Sequence, residues 1–339
     1  MRVATYSKKS FLDNILLLHN LSSQSKLLMV TQMKHLLSLL EYNELEFVKL
    51  LELAEKIKAD WVKGKRPDLL PRKVLGLIFE KPSLRTRVSF EAGMMQMGGN
   101  SIFLGTADGK IGVRETVADF ARTMSHYVDT VVLRTFSHDT IIEFAKNSSV
   151  PVINGLSDQF HPCQSIADIL TIRESFGPKP GKTVVFIGDG NNVSRTLAIA
   201  CALIGYHFIL TGPKLYHFDK DFLDLFSKRF PKAVLIQSSD TINSLKNADI
   251  IYTDVWTSMG QENENEKRIK KFKDFQINDR LMSKAPKHCK FMHCLPAHRG
   301  EEVTNSVIDG EASIVFEQAG NRMHAQKAIL LDMILGSKK

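Results

Sequence analysis

At 339 residues the chain exceeds the usual size of one hydrophobic core, so two domains are the default. With 43% hydrophobic and 24% charged residues it reads as a soluble globular enzyme, and no uninterrupted apolar run reaches membrane-spanning length. The net charge of +8 suits an anionic small molecule, while the lack of an aromatic-interleaved basic patch argues against nucleic acid.

Residues 1–32 stand apart. Arg2, Lys8, Lys9 and Lys26 face Asp13 alone, which is +3 of the net charge, and five serines accompany them. This loosely matches a mitochondrial transit peptide. Asp13 and Asn14 interrupt the apolar stretch and no small-residue cleavage site follows, which argues against a secretory signal. Translation starting at Met33 is the other reading. We favour an extension dispensable to the body, disordered or cleaved. The expected location is then cytoplasmic, or the mitochondrial matrix if 1–32 is a transit peptide. Cys163, Cys201, Cys289 and Cys294, in a long core-rich chain, read as reduced thiols rather than a disulfide framework.

From Tyr42 the pattern is helical, with Phe47, Leu50, Leu51, Ala54 and Ile57 on one face. A strand follows at Val74–Phe79. Pro82 cannot continue it, Ser83 is a good N-cap, and Gly98-Gly99 stops the helix predicted over 84–97. A short strand at 101–104, a polar Gly-containing loop at 106–114 and a helix over 115–127 come next. Strands are expected at 130–133 and 150–153. His161-Pro162 opens a helix to about Phe176, broken by Gly177-Pro178-Lys179-Pro180-Gly181. A second alternating series has strands at Thr183–Ile187, 207–210, 233–236, Ile250–Thr253, 290–295 and 313–316, then a last apolar helix over 323–335. Alternation of this kind predicts an α/β protein with two doubly wound parallel-sheet domains joined by inter-domain helices.

Ser83-Leu84-Arg85-Thr86-Arg87 carries the most chemistry. Unsatisfied amides and the positive end of the helix dipole meet two hydroxyls and two guanidiniums on one turn, which suits a phosphate. A capped helix with solvated arginines is the bland alternative. Gly188-Asp189-Gly190-Asn191-Asn192 follows a strand and precedes a helix. It lacks the third glycine of a dinucleotide fingerprint, Val193 standing there, and no acid follows the next strand. A tight turn, or a turn whose Asn side chains bind a polar small molecule, are the readings left. His161 and Gln164 lie one helical turn apart at a helix start, so both can face one ligand, a capped inter-domain helix being the equal alternative. His288, Cys289, His293 and Cys294 lack a zinc-knuckle spacing, and His293 and Cys294 are expected on opposite faces of a strand, so no metal is assigned. Cys294 is either a buried thiol or, at a strand's carboxyl end, a site residue.

Phe79-Glu80-Lys81-Pro82-Ser83-Leu84-Arg85-Thr86-Arg87 resembles the carbamoyl-phosphate motif of the aspartate/ornithine carbamoyltransferase superfamily, lettered S-T-R-T-R at the helix start. Leu84 departs from it, keeping the backbone amide and losing a hydroxyl. Asp254-Val255-Trp256-Thr257-Ser258-Met259-Gly260 and His293-Cys294-Leu295-Pro296 resemble the lettering of the ornithine branch. Arg134, 161–164, 188–192 and Asn321-Arg322 match in the same order.

The resemblance implies transfer of a carbamoyl group from carbamoyl phosphate to L-ornithine, without metal or redox cofactor. It implies a carbamoyl-phosphate domain over 33–160, completed by a returning helix over 322–339, and an ornithine domain over 161–321. By that analogy Ser83, Leu84, Arg85, Thr86 and Arg134 hold the phosphate. Thr86, Arg134 and His161 reach the carbonyl oxygen, and Gln164, Cys294, Leu295 and Arg322 surround the carbamoyl NH₂. Asn192, Asp254, Ser258 and Met259 take ornithine, with Cys294 beside the reacting amine. Arg134, His161 and Cys294 are the implied catalytic set. A homotrimer, or a multiple of trimers, is implied, with Lys110 reaching a neighbour's phosphate site.

Overall fold

The apolar runs pair as parallel strands in two sheets in the computed structural model, which describes residues 35–106, 111–257 and 262–336. In the first, β1 (Val74–Phe79), β2 (Asn100–Leu104), β3 (Thr130–Arg134) and β4 (Val152–Leu156) lie in the order β2-β1-β3-β4. The second has β5 (Thr183–Ile187), β6 (His207–Thr211), β7 (Leu235–Ser238), β8 (Ile250–Thr253) and β9 (Lys290–His293), in the order β7-β6-β5-β8-β9. All these pairings are parallel, so helices carry the chain back across the faces. This is the doubly wound α/β architecture, twice.

Strand order reverses between β1 and β3 in one sheet, and between β5 and β8 in the other. Connections there leave toward opposite faces and open a crevice at the strands' carboxyl ends. Phe79 pairs with Arg134 at the first reversal and Ile187 with Thr253 at the second. The segments after these residues line the two crevices.

Helix α1 (Glu44–Val62) starts with a capping box between Asn43 and Glu46, and buries the five residues its periodicity singled out. Helix α2 (Leu84–Met95) starts at Ser83 as expected and ends two residues early, before Gly98 turns the chain at φ +81°. Helix α3 (Val117–Met124) is likewise shorter than expected, held to its start by the Thr116 cap. Helix α4 (His138–Asn147) returns the chain from β3 to β4. Helices α5 (Pro162–Phe176), α6 (Asn192–Leu203) and α7 (Lys220–Arg229) follow, then the short α8 (Thr241–Ser244), α9 (Asn265–Phe272), α10 (Asp279–Met282) and α11 (Asn305–Ile308).

Four strand expectations are corrected. The runs at 150–153 and 233–236 pair two residues later, as β4 and β7. Strand β9 stops at His293 because Leu295 turns into the left-handed region at φ 55°. Residues 313–316 form no strand: Ser313 makes one bridge to Phe291, and the chain enters α12 (Val315–Gly336), eight residues before the expected helix start at 323. A four-residue apolar run has too short a period to separate strand from helix, and burial of Val315 and Gln318 on one helical face decides it.

Helix α12 packs on α1, α2 and α5. One apolar core runs from Leu77 and Phe90 through Ile166 and Leu330 to Leu197 and Phe186, so the two sheets share α5 and α12 as a common wall. At the second crevice Gly188 donates its amide to Thr211 O (2.9 Å), and a Cβ on Gly212 would lie 2.5 Å from Gly188 O. Gly212→Ala is therefore expected to destabilise the fold by roughly 1–3 kcal/mol through backbone displacement. Thermal denaturation reads this, and an unchanged midpoint would show that the two turns separate freely.

Candidate active site

The carboxyl ends of both sheets open into one cleft of about 1050 Å³, lined among others by Ser83, Leu84, Arg85, Thr86, Arg134, His161, Gln164, Asn192, Asp254, Cys294, Leu295 and Arg322. Lys110, Ser258 and Met259 lie outside the described residues, as does the 1–32 extension.

On one wall Ser83 Oγ accepts the Thr86 amide (3.3 Å) and caps α2. The amides of Leu84 and Arg85 then head the helix with no preceding helical carbonyl in reach. The Leu84 side chain is 74% exposed, so its apolar atoms are not part of the core. Arg134 closes β3 and Arg322 projects from α12; both are buried. Arg322 donates from Nη1 to Gln164 Oε1 (2.6 Å) and from Nη2 to Thr86 Oγ1 (2.9 Å). Nε of Arg134 and Nε of Arg322 are buried without partners.

Among the described residues, none of Arg85, Arg134 and Arg322 forms an ion pair. Burial, then the charges of Arg322 and Arg85, pulls Arg134 down to about 10. His161 sits in the same field. Burial first, then Arg322 and Arg134, holds its imidazole well below the ordinary 6.5, and its Nδ1 has no partner. Converging cations without a counter-anion make an anion site.

The facing wall is acidic and polar. Asp254, just beyond β8, accepts the Cys294 thiol (2.9 Å) and the Val255 amide (2.8 Å) on Oδ1, and Asn191 Nδ2 (3.0 Å) on Oδ2. Burial, then the Asp254 charge, pushes the Cys294 thiol well above its ordinary 9.0, so at neutral pH it is an SH donor. Asn192 Nδ2 reaches back to Ser157 O (2.6 Å), across to the segment after β4.

Two residues here escaped the sequence reading. Asn191 both caps α6 and orients Asp254. Arg268, buried on α9, pairs with Asp189 and donates from Nε to Trp256 O, joining the turn after β5 to the turn after β8. Asn191 before a helix is a readable cap and lies in the 188–192 turn already singled out. Its bond to Asp254, 63 residues on, and the role of an Arg amid the charges of 262–274 carry no local signal.

The glycine turn is explained by packing. A Cβ on Gly190 would meet Phe218 N at 2.9 Å, so the missing side chain makes room for the protein's own 216–218 segment. The four residues considered for zinc are not gathered. His293 binds Glu302 through Nε2 (3.1 Å) and accepts the Leu295 amide at Nδ1 (2.8 Å), while Cys294 turns to Asp254 and His288 to Asp249. Metal-type donors of His298, Glu301 and Glu302 lie within 4.8 Å of one another; Glu302 Oε1 is taken by His293 and the His298 amide, while its Oε2 has no partner.

Residues 34–174 match the family model for the aspartate/ornithine carbamoyltransferase carbamoyl-P binding domain, and residues 180–333 match the Asp/Orn binding domain of the same family. The chain belongs to the aspartate/ornithine carbamoyltransferase family. It is 46% identical over 304 residues to the ornithine carbamoyltransferase of Anoxybacillus flavithermus, covering 89% of this chain and 96% of that one. It is 47% identical over 302 residues to that of Archaeoglobus fulgidus, covering 89% and 98%. The solved ornithine carbamoyltransferase of Pyrococcus furiosus superposes with a TM-score of 0.87 at 44% identity, over 92% of this chain and all of that one.

The electrostatics predict silent histidines. His161 is expected to stay neutral by NMR at pH values where an ordinary imidazole is protonated, and His324, lowered mainly by burial, is expected to titrate at about 4. Both folded values lie below the unfolded one, so their stabilisation is full above about pH 6.5 and is lost as pH falls. A His161 midpoint near 6.5 would mean that water and anions screen the cleft.

Proposed function

We propose that this protein transfers the carbamoyl group of carbamoyl phosphate to the δ-amine of L-ornithine, giving L-citrulline and phosphate. The observation that carries this reading is the three-arginine anion site facing the Asp254–Cys294 pair across one cleft. The family and its ornithine-carbamoyltransferase relatives support it. In the proposed arrangement 33–160, with 322–339, hold carbamoyl phosphate, and 161–321 hold ornithine.

The phosphate rests on the head of α2, on Ser83, Arg85, Thr86 and Arg134 and the Leu84 amide. Leu84 offers no hydroxyl, so that position contributes backbone only. Because Arg322 donates to Thr86 Oγ1, the Thr86 hydroxyl proton is free for the ligand. Thr86, Arg134 and a neutral His161 then donate to the carbamoyl oxygen, where charge grows as the carbon becomes tetrahedral. Gln164 Oε1 and the carbonyls at Cys294 and Leu295 accept the NH₂, with Arg322 behind them.

Asp254 takes the α-ammonium of ornithine, with Asn192, Ser258 and Met259 around its carboxylate and chain. The δ-amine lone pair forms the new C–N bond, and the C–O bond to phosphate breaks with its electrons. The Cys294 thiol keeps its own proton, so the departing phosphate is the base at hand for the amine proton. No electrons are exchanged with a carrier. We also propose a homotrimer, or a multiple of trimers, with Lys110 completing a neighbour's phosphate site, a cytoplasmic location (matrix if 1–32 target it), and a place in arginine metabolism.

An assay for the ureido group of the product, offered ornithine, putrescine and aspartate in turn, is expected to respond to ornithine alone. Asp254→Asn is expected to raise the ornithine KM on the order of ten- to a hundredfold, with little change in the carbamoyl phosphate KM. A parallel rise of both would mean that Asp254 does not face the acceptor.

Arg85→Ala removes a charge-assisted contact worth roughly 2–5 kcal/mol, so it and Lys110→Ala are each expected to be nearly inactive alone. Co-refolded, some sites receive both intact residues from different chains, and activity returns. No recovery, or a fully active Lys110→Ala, would remove Lys110 from the site.

A further inference from the structure

Asp168 lies on α5 one turn beyond Gln164 and is fully buried, and among the described residues it forms no ion pair. Its carboxylate is surrounded by donors. Gln164 Nε2 (2.8 Å) and Gln318 Nε2 (2.7 Å) donate to Oδ1, and the Tyr252 hydroxyl (3.1 Å) donates to Oδ2. Those donors come from α5, α12 and β8, so one carboxylate ties together the shared helical wall and the second sheet.

An ionised carboxylate has no hydrogen to give, so each neighbour must present one to it. The two ends of a glutamine amide have nearly the same shape, and only their partners decide which end points where. With its nitrogen held on Asp168, Gln164 turns its oxygen to Arg322 Nη1 and the cleft. With its nitrogen on the same atom, Gln318 turns its oxygen to the His293 amide (3.0 Å), one residue before Cys294. Arg322 also favours the oxygen end of Gln164, but it is shared with Thr86 and lies where a ligand competes for it. Asp168 is the acceptor holding the nitrogen end.

We propose that Asp168 is a positioning residue, which fixes the Gln164 amide so that an acceptor oxygen, and not an NH₂ donor, meets the carbamoyl nitrogen of the substrate. This rests on the reading that Gln164 faces that nitrogen. Asp168 touches no substrate; it acts through Gln164.

The test separates the carbamoyl end of the ligand from the phosphate end, using binding of carbamoyl phosphate and of inorganic phosphate to the full-length protein. Burial pushes the Asp168 carboxyl up to about 7, so measurements at about pH 8.5 keep it ionised. Asp168→Leu keeps the forked shape and removes the acceptor. It is expected to weaken carbamoyl phosphate about tenfold or more while phosphate stays within about twofold. Asp168→Asn can still accept both glutamine nitrogens on one oxygen and donate to Tyr252, so carbamoyl phosphate binding is expected to stay within about threefold. In a Gln164→Leu background, Asp168→Leu is expected to add no further loss of discrimination.

Equal weakening of both ligands, no weakening of either, or an additive loss in the Gln164→Leu background would overturn the proposal. Should Asp168→Leu fail to fold, Asp168→Ser carries the same comparison, its hydroxyl falling one atom short of the Gln164 nitrogen. Wild-type protein that binds phosphate but forms no citrulline would refute the reading beneath the proposal, before any variant is compared.

Discussion

Arg85, Arg134 and Arg322 bring three positive charges into one cleft, and the described residues offer them no carboxylate in contact. Removing a guanidinium from water costs several kcal/mol when nothing replaces its hydration. Here the replacement is partial: Arg322 has Gln164 and Thr86, while one nitrogen each of Arg134 and Arg322 has nothing. The lowered proton affinity of Arg134 and of His161 expresses the same strain. The rest of the molecule is arranged to keep these charges together, which is what the proposed phosphate site requires.

That arrangement depends on two helices belonging to neither sheet alone. Helix α5 presents His161 and Gln164 from its first turn, and α12 presents Gln318, Asn321 and Arg322 across from it. Asn321 Nδ2 bonds Thr171 Oγ1 (2.9 Å) and Glu174 Oε2 (2.7 Å), and Lys58 from α1 reaches both Glu174 and Asn321. The apolar faces behind these contacts, including Ile166, Leu170, Ala325, Ile329 and Leu330, are fully buried, each large side chain contributing about 1.5–3 kcal/mol. The charged cluster is thus mounted on two well-packed helices and the end of a central strand, not on a loop. The facing wall is built differently, from turns after β5, β8 and β9, held by Asn191, Arg268 and the Cys294–Asp254 contact.

Much of this was readable in the chain. Pro82 and Ser83 mark a strand giving way to a helix whatever surrounds them, because a missing amide and a capping hydroxyl act within a few residues. The periodicity of 47–57 announces its buried face for the same local reason. Short elements were less secure. The run at 313–316 and the end of β9 depend on what packs beside them, and Leu295 takes a left-handed conformation that nothing in its own side chain favours.

By itself, then, the sequence determined the alternation of strands and helices, the capped helix start at Ser83, and the motif order that aligns this chain with its family. Those are properties of neighbours along the chain. Only the tertiary structure decided that Arg134 and Arg322, 188 positions apart in number, share a cleft without a counter-anion. It alone joined Asp254 to Cys294 and Asn191, gave Arg268 its place beneath two turns, and set Asp168 at the centre of three donors. Charge and hydrogen-bond direction act through space over a few ångströms, and strand order, not sequence distance, sets which groups come within that reach.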